Sequence, residues 1–282
     1  MSTTAQGTLL VVATPIGNLG DITDRARTVL GSADAIFAED TRQTRKLLDL
    51  LHIPCPPIFA MHEHSSTGVI ESALERLRRG EQIALVSDAG TPLVSDPGAP
   101  LVRAARAEGH AVRPVPGVSA VIAALSATAL GDGRFRFLAF LPREGPERRD
   151  AIALCAETEE TVVLYEAPHR LTATLRDLAE AMGARDAVVL RELTKLHEEQ
   201  LAGTLTELAA IDREWLGEIV ILLAPWNAKA REDDVTDEAL DARIDALYSK
   251  GERAKRISEL LAAWCGRPKR ELYERVVARK PR

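Results

Sequence analysis

Ser87-Asp88-Ala89-Gly90-Thr91-Pro92-Leu93-Val94-Ser95-Asp96-Pro97-Gly98 follows the apolar run 82–86 and leads into a helical pattern at 100–108. A strand, a long Gly/Pro loop and a helix in that order are the beginning of an α/β reading. So long a loop, with two aspartates, is uncommon in a compact domain unless it serves a ligand. The same rhythm appears on both sides. Residues 9–14 are a buried strand ending in the turn Pro15-Ile16-Gly17-Asn18. Ala26, Val29 and Leu30 mark a helix over 24–32, and 35–38 is a short strand closing on Glu39-Asp40. Residues 41–51 read as a basic amphipathic helix and 69–79 as another, stopped by Gly80. The strand 112–115 ends in Pro116-Gly117-Val118-Ser119 and an Ala-rich helix through Ala129. Alternating strand and helix at this spacing predicts a mostly parallel sheet.

Gly131-Asp132-Gly133 interrupts the rhythm and marks a domain boundary. Strands at 135–141, 161–165, 187–190 and 219–223, with helices at 147–157 and 169–182, form a second α/β unit. Residues 225–245 are acidic and read as a linker entering a helix. Residues 251–282 reverse the sign, with ten Lys and Arg against four Glu. Two helices fit there, at 252–264 and 268–278, with Gly266 as the left-handed cap and Pro268 in the next first turn. The expected architecture is two α/β domains, 1–130 and 131–228, and a helical C-terminal domain, 229–282.

The bulk properties narrow the function classes. Only 4% of the 282 residues are aromatic while 46% are hydrophobic, so the core is built from Leu, Val, Ile and Ala. That balance suits helices packed on parallel strands. The net charge of -6 gives no global nucleic-acid footprint, although the basic tail is a local one. Cys55, Cys155 and Cys265 are far apart, which reads as a reduced cytoplasmic protein without structural zinc. The run 9–13 is too short to span a membrane. His62-Glu63-His64 lacks a third metal ligand at suitable spacing, so no metal is expected.

Four loops lie at strand C-termini: 15–18, 39–42, 87–98 and 116–119. In open α/β sheets ligands bind outside those ends. Taken singly, each is also an ordinary tight turn. No GxGxxG and no GxxxxGK[ST] is present, which disfavours a dinucleotide or P-loop site. Arg42 and Arg45 share a helix face and read as phosphate contacts or as a solvated face. Tyr165-Glu166-Ala167-Pro168-His169-Arg170 ends one strand and opens a helix. Glu166 and His169 are acid/base candidates and Arg170 an anion ligand; alternatively Glu166 and Arg170 pair with each other. Arg143 adds basic character nearby, as do Lys269 and Arg270 in the tail.

Val12-Ala13-Thr14-Pro15-Ile16-Gly17-Asn18-Leu19, Ala38-Glu39-Asp40-Thr41-Arg42, the 87–98 loop, Pro116-Gly117-Val118-Ser119-Ala120, Phe140-Leu141-Pro142-Arg143 and the 165–170 segment occur in the order found in one family. The chain resembles the tetrapyrrole methylase superfamily, and within it the branch that acts on small-subunit ribosomal RNA. The resemblance covers roughly residues 9–224. It implies two α/β domains with S-adenosylmethionine held in the cleft between them, usually in a homodimer. It implies 2′-O-methylation of a cytidine ribose in the decoding region of 16S rRNA, within the small ribosomal subunit. Carried over by motif, Pro15, Asp88, Thr91, Ser119 and Ala120 bind the cofactor, with Tyr165, Ala167, Pro168 and the 219–224 strand as further contributors. Porphyrinoid-modifying relatives have a Gly-rich first loop and a Gly-Asp-Pro turn. Thr14-Pro15-Ile16-Gly17-Asn18 and Asp88-Ala89-Gly90 depart from both, which argues against a porphyrinoid substrate.

For a ribose hydroxyl the sequence offers Glu39, Asp40, His64, Glu166 and His169 as proton acceptors. Arg42, Arg45, Arg143, Arg170, Lys269 and Arg270 are the expected RNA contacts. A methylase of a tetrapyrrole or other small substrate, and a non-catalytic RNA-binding protein with this fold, stand as alternatives.

Overall fold

The computed structural model describes residues 7–62, 67–225, 235–249 and 251–280. Strand β1 (Thr8–Val12) leads to α1 (Asp24–Ser32), whose first turn is capped by the Thr23 hydroxyl accepting from the Ala26 N–H at 3.1 Å. Then come β2 (Ala35–Ala38), α2 (Thr41–Leu50), β3 (Ile58–Ala60), α3 (Thr67–Arg78), β4 (Gln82–Val86), α4 (Ala99–Ala107), β5 (Ala111–Val115) and α5 (Ala120–Thr128). The five strands pair in the order β3-β2-β4-β1-β5, every pairing parallel. Successive side chains alternate between faces. Leu10, Val12, Ile36, Ala84 and Val86 meet Leu30 and Leu48 on one side. Leu9, Phe37, Ile83 and Leu85 meet Leu77 and Leu101 on the other. Both faces are covered, which is why these strands read as unbroken apolar runs.

The second sheet holds β6 (Phe135–Phe140), β7 (Thr161–Glu166), β8 (Asp186–Arg191), β9 (Glu199–Thr204) and β10 (Ile219–Leu223), in the order β6-β7-β10-β8-β9. Only β6 and β7 run parallel; the other pairings are antiparallel. Helices α6 (Gly145–Glu157), α7 (Pro168–Met182) and α8 (Leu205–Ala209) belong to this half. β3, β9 and α8 are absent from the sequence reading. β3 is three residues after a stretch with Pro54, Pro56 and Pro57. β9 is a polar edge strand, Glu-Gln-Leu-Ala-Gly-Thr, of low strand propensity.

Among the described residues three helices follow: α9 (Asp237–Ser249), α10 (Ala254–Cys265) and α11 (Lys269–Ala278). They enclose Leu240, Ile244, Ile257, Leu261, Leu272 and Val276, and α10 packs on α6 and α7. Gly266 takes the left-handed cap after α10, with φ of 74°. By their contacts the residues form two units: Met1–Ala123 with Leu193–Leu196, and Ala124–Glu192 with His197–Arg282. No helix among the described residues is long and apolar enough to cross a membrane.

Candidate active site

The C-terminal ends of β1, β2, β4 and β5 share one edge of the parallel sheet, and backbone hydrogen bonds tie their loops together. The Ala13 N–H donates to Val115 O at 3.1 Å. Thr14 and Gly90 exchange bonds of 2.9 and 3.0 Å. The Asp40 N–H donates to Asp88 Oδ1 at 2.9 Å, and the Asp88 N–H to Glu39 Oε2 at 3.3 Å. The Thr91 hydroxyl donates to Val118 O at 3.0 Å. The four loops therefore form one structure rather than four independent turns.

The 87–98 loop is held in an unfavourable backbone conformation. Leu93 and Ser95 adopt φ of 74° and 70°, in the left-handed region that non-glycine residues avoid. Each such residue costs about 1–3 kcal/mol, and strain of this kind gathers at functional sites. Gly98 ends the loop at φ 116°, where a Cβ would lie 2.8 Å from Leu85 Cδ2. It allows the chain to turn into α4 close against β4.

Beside the loop is a cavity of about 360 Å³ lined by Glu39, His62, Leu93, Ser95, Asp96 and Pro97. Burial pushes the Asp96 carboxyl up to about 6; the Ser87 hydroxyl lowers it, while the charges of Glu39 and Asp88 add to the rise. Burial also raises Glu39, partly offset by the Asp88 N–H. Asp40 behaves oppositely. Its carboxylate caps α2 and pairs with Arg42 at 2.9 Å, and the Arg42 hydrogen bonds hold it at about 2. An acid that strong is a poor proton acceptor at neutral pH.

The other expected residues fall as follows. Pro15 is buried, Thr91, Ser119 and Ala120 are half-buried and Asp88 is exposed, all on the edge just described. Arg42 and Arg45 are exposed on α2. Tyr165 packs edge-on against Phe137 and Phe140, and Ala167 and Pro168 open α7. Glu166 is 2% exposed. It accepts from the Ala167 N–H at 2.8 Å and the Thr174 hydroxyl at 2.5 Å, and pairs with Arg170 at 3.3 Å. Arg170 also donates to Leu141 O at 2.7 Å. The alternative of mutual pairing is thus the geometry observed. His169 and Arg143 are exposed. His64 lies outside the described residues. Lys269 pairs with Glu259 at 2.8 Å, whereas the Arg270 side chain is 91% exposed with Glu274 at 3.5 Å.

Asp96, which carries no role in the sequence reading, and His62, which appears there only in a weak metal-ligand pair with His64, line the cavity together with Glu39. One signal for Asp96 is present in the sequence: Ser95-Asp96-Pro97-Gly98 repeats the pattern of Ser87-Asp88-Ala89-Gly90.

Residues 8–209 match the Tetrapyrrole (Corrin/Porphyrin) Methylases family. The fold is similar to that of uroporphyrin III C-methyl transferase from Thermus thermophilus, with TM-score 0.57 and 20% identity over 77% of this chain and 96% of that one. It is similar also to diphthine synthase, with TM-score 0.58 and 17% identity over 77% and 89%. Much nearer in sequence are proteins called ribosomal RNA small subunit methyltransferase I. The one from Xylella fastidiosa (strain Temecula1 / ATCC 700964) is 46% identical over 95% of this chain and 98% of its own. Those from Pseudomonas aeruginosa and Bacillus subtilis (strain 168) are 43% identical over 97% and 98%, and 40% identical over 95% and 93%. The match runs nearly end to end and takes in both the loop-bearing edge of the first sheet and the terminal helices, so the chain belongs to the tetrapyrrole methylases and, within them, to the ribosomal RNA small subunit methyltransferase I family.

Proposed function

We propose that this protein methylates the 2′-hydroxyl of a cytidine ribose in the decoding region of 16S rRNA, using S-adenosylmethionine, as a cytoplasmic homodimer acting on the small ribosomal subunit. The reading is supported by family membership and by one structural observation: a strained loop brings Asp96 to a cavity at the ligand edge of a parallel sheet. The edge suits the cofactor chemically. Asp88 presents an exposed carboxylate, and Glu39 and Asp96 line the cavity, a donor set that complements a cationic sulfonium. Pro15, Asp88, Thr91, Ser119 and Ala120 are the residues assigned to hold it, with Tyr165, Ala167 and Pro168 contributing. When bound, S-adenosylmethionine supplies an activated methyl group.

The protein has two further tasks. It must orient the ribose hydroxyl and take its proton as the new C–O bond forms. Asp96 is the group suited to the proton. With its carboxyl at about 6 it is ionised at neutral pH, yet basic enough to share a hydroxyl proton. Glu39, raised by burial beside it, keeps the local charge negative. Incubating the protein and labelled S-adenosylmethionine with small subunits lacking the mark, and then mapping the modified nucleotide, tests the proposal. Label on one cytidine 2′-oxygen is expected. Absence of transfer to both subunits and naked 16S rRNA would overturn it.

A further inference from the structure

β6 and β7 are the parallel pair of the second sheet, so their C-terminal ends lie side by side. The register between them slips between Phe137 and Phe140, and Ala139 there adopts φ of 54°. Bulges and left-handed residues of this kind gather beside functional sites. Past the bulge, Arg170 Nη2 donates to Leu141 O at 2.7 Å and to Pro142 O at 3.3 Å, and Arg148 Nη1 donates to Pro142 O at 2.9 Å. The same two arginines reach the end of β7. Arg170 Nε pairs with Glu166 Oε1 at 3.3 Å. Arg148 Nη2 donates at 3.0 Å to the Thr174 hydroxyl, which donates to Glu166 Oε2. Glu166 Oε1 also accepts from the Ala167 N–H at 2.8 Å. One continuous hydrogen-bonded chain therefore ties residues 141–142 to residues 166–167.

Stability alone is a weak reason for this arrangement. The Glu166 side chain is wholly buried and that of Arg170 nearly so. Apolar residues of similar volume often replace a buried ion pair without loss of stability. What the pair does fix is geometry. The Ala167 N–H is spent on Glu166, and the Ala167 carbonyl accepts from the Arg170 N–H at 2.9 Å. Pro168 has no N–H, so this corner keeps no backbone donor for a ligand. It offers the Ala167 methyl and the Pro168 ring, both half-buried. Such apolar surface attracts a ligand only at close contact, and a small gap forfeits much of the attraction. A wall of that kind has to be held in place.

We infer that Glu166 and Arg170 are positioning residues for S-adenosylmethionine, holding the Ala167–Pro168 corner to the loop after β6 so that it forms a fixed apolar wall of the cofactor site. This rests on the assignment of Ala167 and Pro168 to the cofactor above, and not on the RNA substrate. The test is calorimetric binding of S-adenosylmethionine and S-adenosylhomocysteine to the full chain, with thermal melts of the same samples. The double variant Glu166→Met/Arg170→Met removes both charges together and keeps the volume. Its melting temperature is expected within about 4 °C of the parent's. Its Kd for both ligands is expected to rise about tenfold, the equivalent of one good contact. Arg170→Lys keeps a charge beside Glu166 but lacks the fork that serves a carboxylate and two carbonyls at once. Its Kd should fall between those of the parent and the double variant. A double variant that melts and binds like the parent overturns the inference. So does a loss of affinity that disappears on cooling well below the melting transition, because cooling restores a loosened fold but not a displaced wall. If the double variant does not fold, Arg170→Lys decides, and the parent's affinity in that variant overturns the inference. A parent that binds neither ligand defeats the cofactor assignment and this inference with it; a parent that binds both but methylates no RNA defeats the substrate reading alone.

Discussion

Carboxylates at the edge of the parallel sheet and carboxylates on α9 have opposite electrostatic fates. On α9, Asp237, Asp241 and Asp245 recur every four residues and form one stripe. Asp237 pairs with Arg267 at 2.8 Å, Asp241 with Arg275 at 2.7 Å and Asp245 with Arg279 at 2.6 Å. Each arginine holds its partner below the usual carboxylate range. At the sheet edge no salt bridge to an arginine or lysine is formed by Glu39 or Asp96 among the described residues; both face a cavity, and burial raises both. The helical stripe is scaffold, in which the acidic stretch and the basic tail largely neutralise one another. The sheet edge gathers raised carboxyls at a cavity, which suits a site for a cation and a proton transfer.

Breaking the sheet-edge side should have the largest effect. Asp96→Asn is expected to lower methyl transfer by about 10²–10⁴-fold, the usual contribution of a general base. It should also stabilise the fold at neutral pH. A carboxyl raised in the folded state favours folding when protonated, and that contribution is lost as pH rises from its unfolded value towards about 6. Removing the charge recovers on the order of 1 kcal/mol, after allowing for partial exposure. Paired thermal melts at pH 7.5 and pH 4 check this, with the gain present at the first and absent at the second. Next in size is Gly98→Ala, which forces a Cβ against Leu85 at φ 116°. A loss of about 1–3 kcal/mol is expected in chemical denaturation, together with weaker cofactor binding by calorimetry. Arg275→Ala, on the paired side, should lower the melting temperature only slightly and leave kcat unchanged. Its cost should be present above the unfolded aspartate value and vanish as acid protonates Asp237 and Asp241. The smallest contrast lies within the tail. Arg270→Ala removes an exposed cation and should flatten the salt dependence of RNA binding, whereas Arg267→Ala, whose charge is already spent on Asp237, should not.

Much of this was legible in the sequence, for identifiable reasons. The parallel sheet is buried on both faces, so its strands announce themselves as apolar runs, and the four loops at their ends follow directly. The second sheet was legible as strands but not as a direction, because residues such as 187–190 read the same whether their neighbours run parallel or antiparallel. Glu166 and Arg170 look like catalytic groups in a one-dimensional reading; only folding shows that they satisfy each other. The pairing of the tail was not legible, because its counter-charges stand up to 38 residues away on α9. Asp96 was hidden for the reverse reason: its role depends on burial and on the proximity of Glu39, which no local spacing records.

The central claim is that Asp96, buried at the sheet edge beside Glu39, takes the ribose proton. Single-turnover methylation of unmarked small subunits from pH 5 to 8 tests it most directly. The rate should rise with pH through a midpoint near 6, the value burial imposes on Asp96, and this ascending limb should disappear in Asp96→Asn. A flat profile in the parent, or an Asp96→Asn enzyme that keeps both the rate and the pH dependence of the parent, would contradict it.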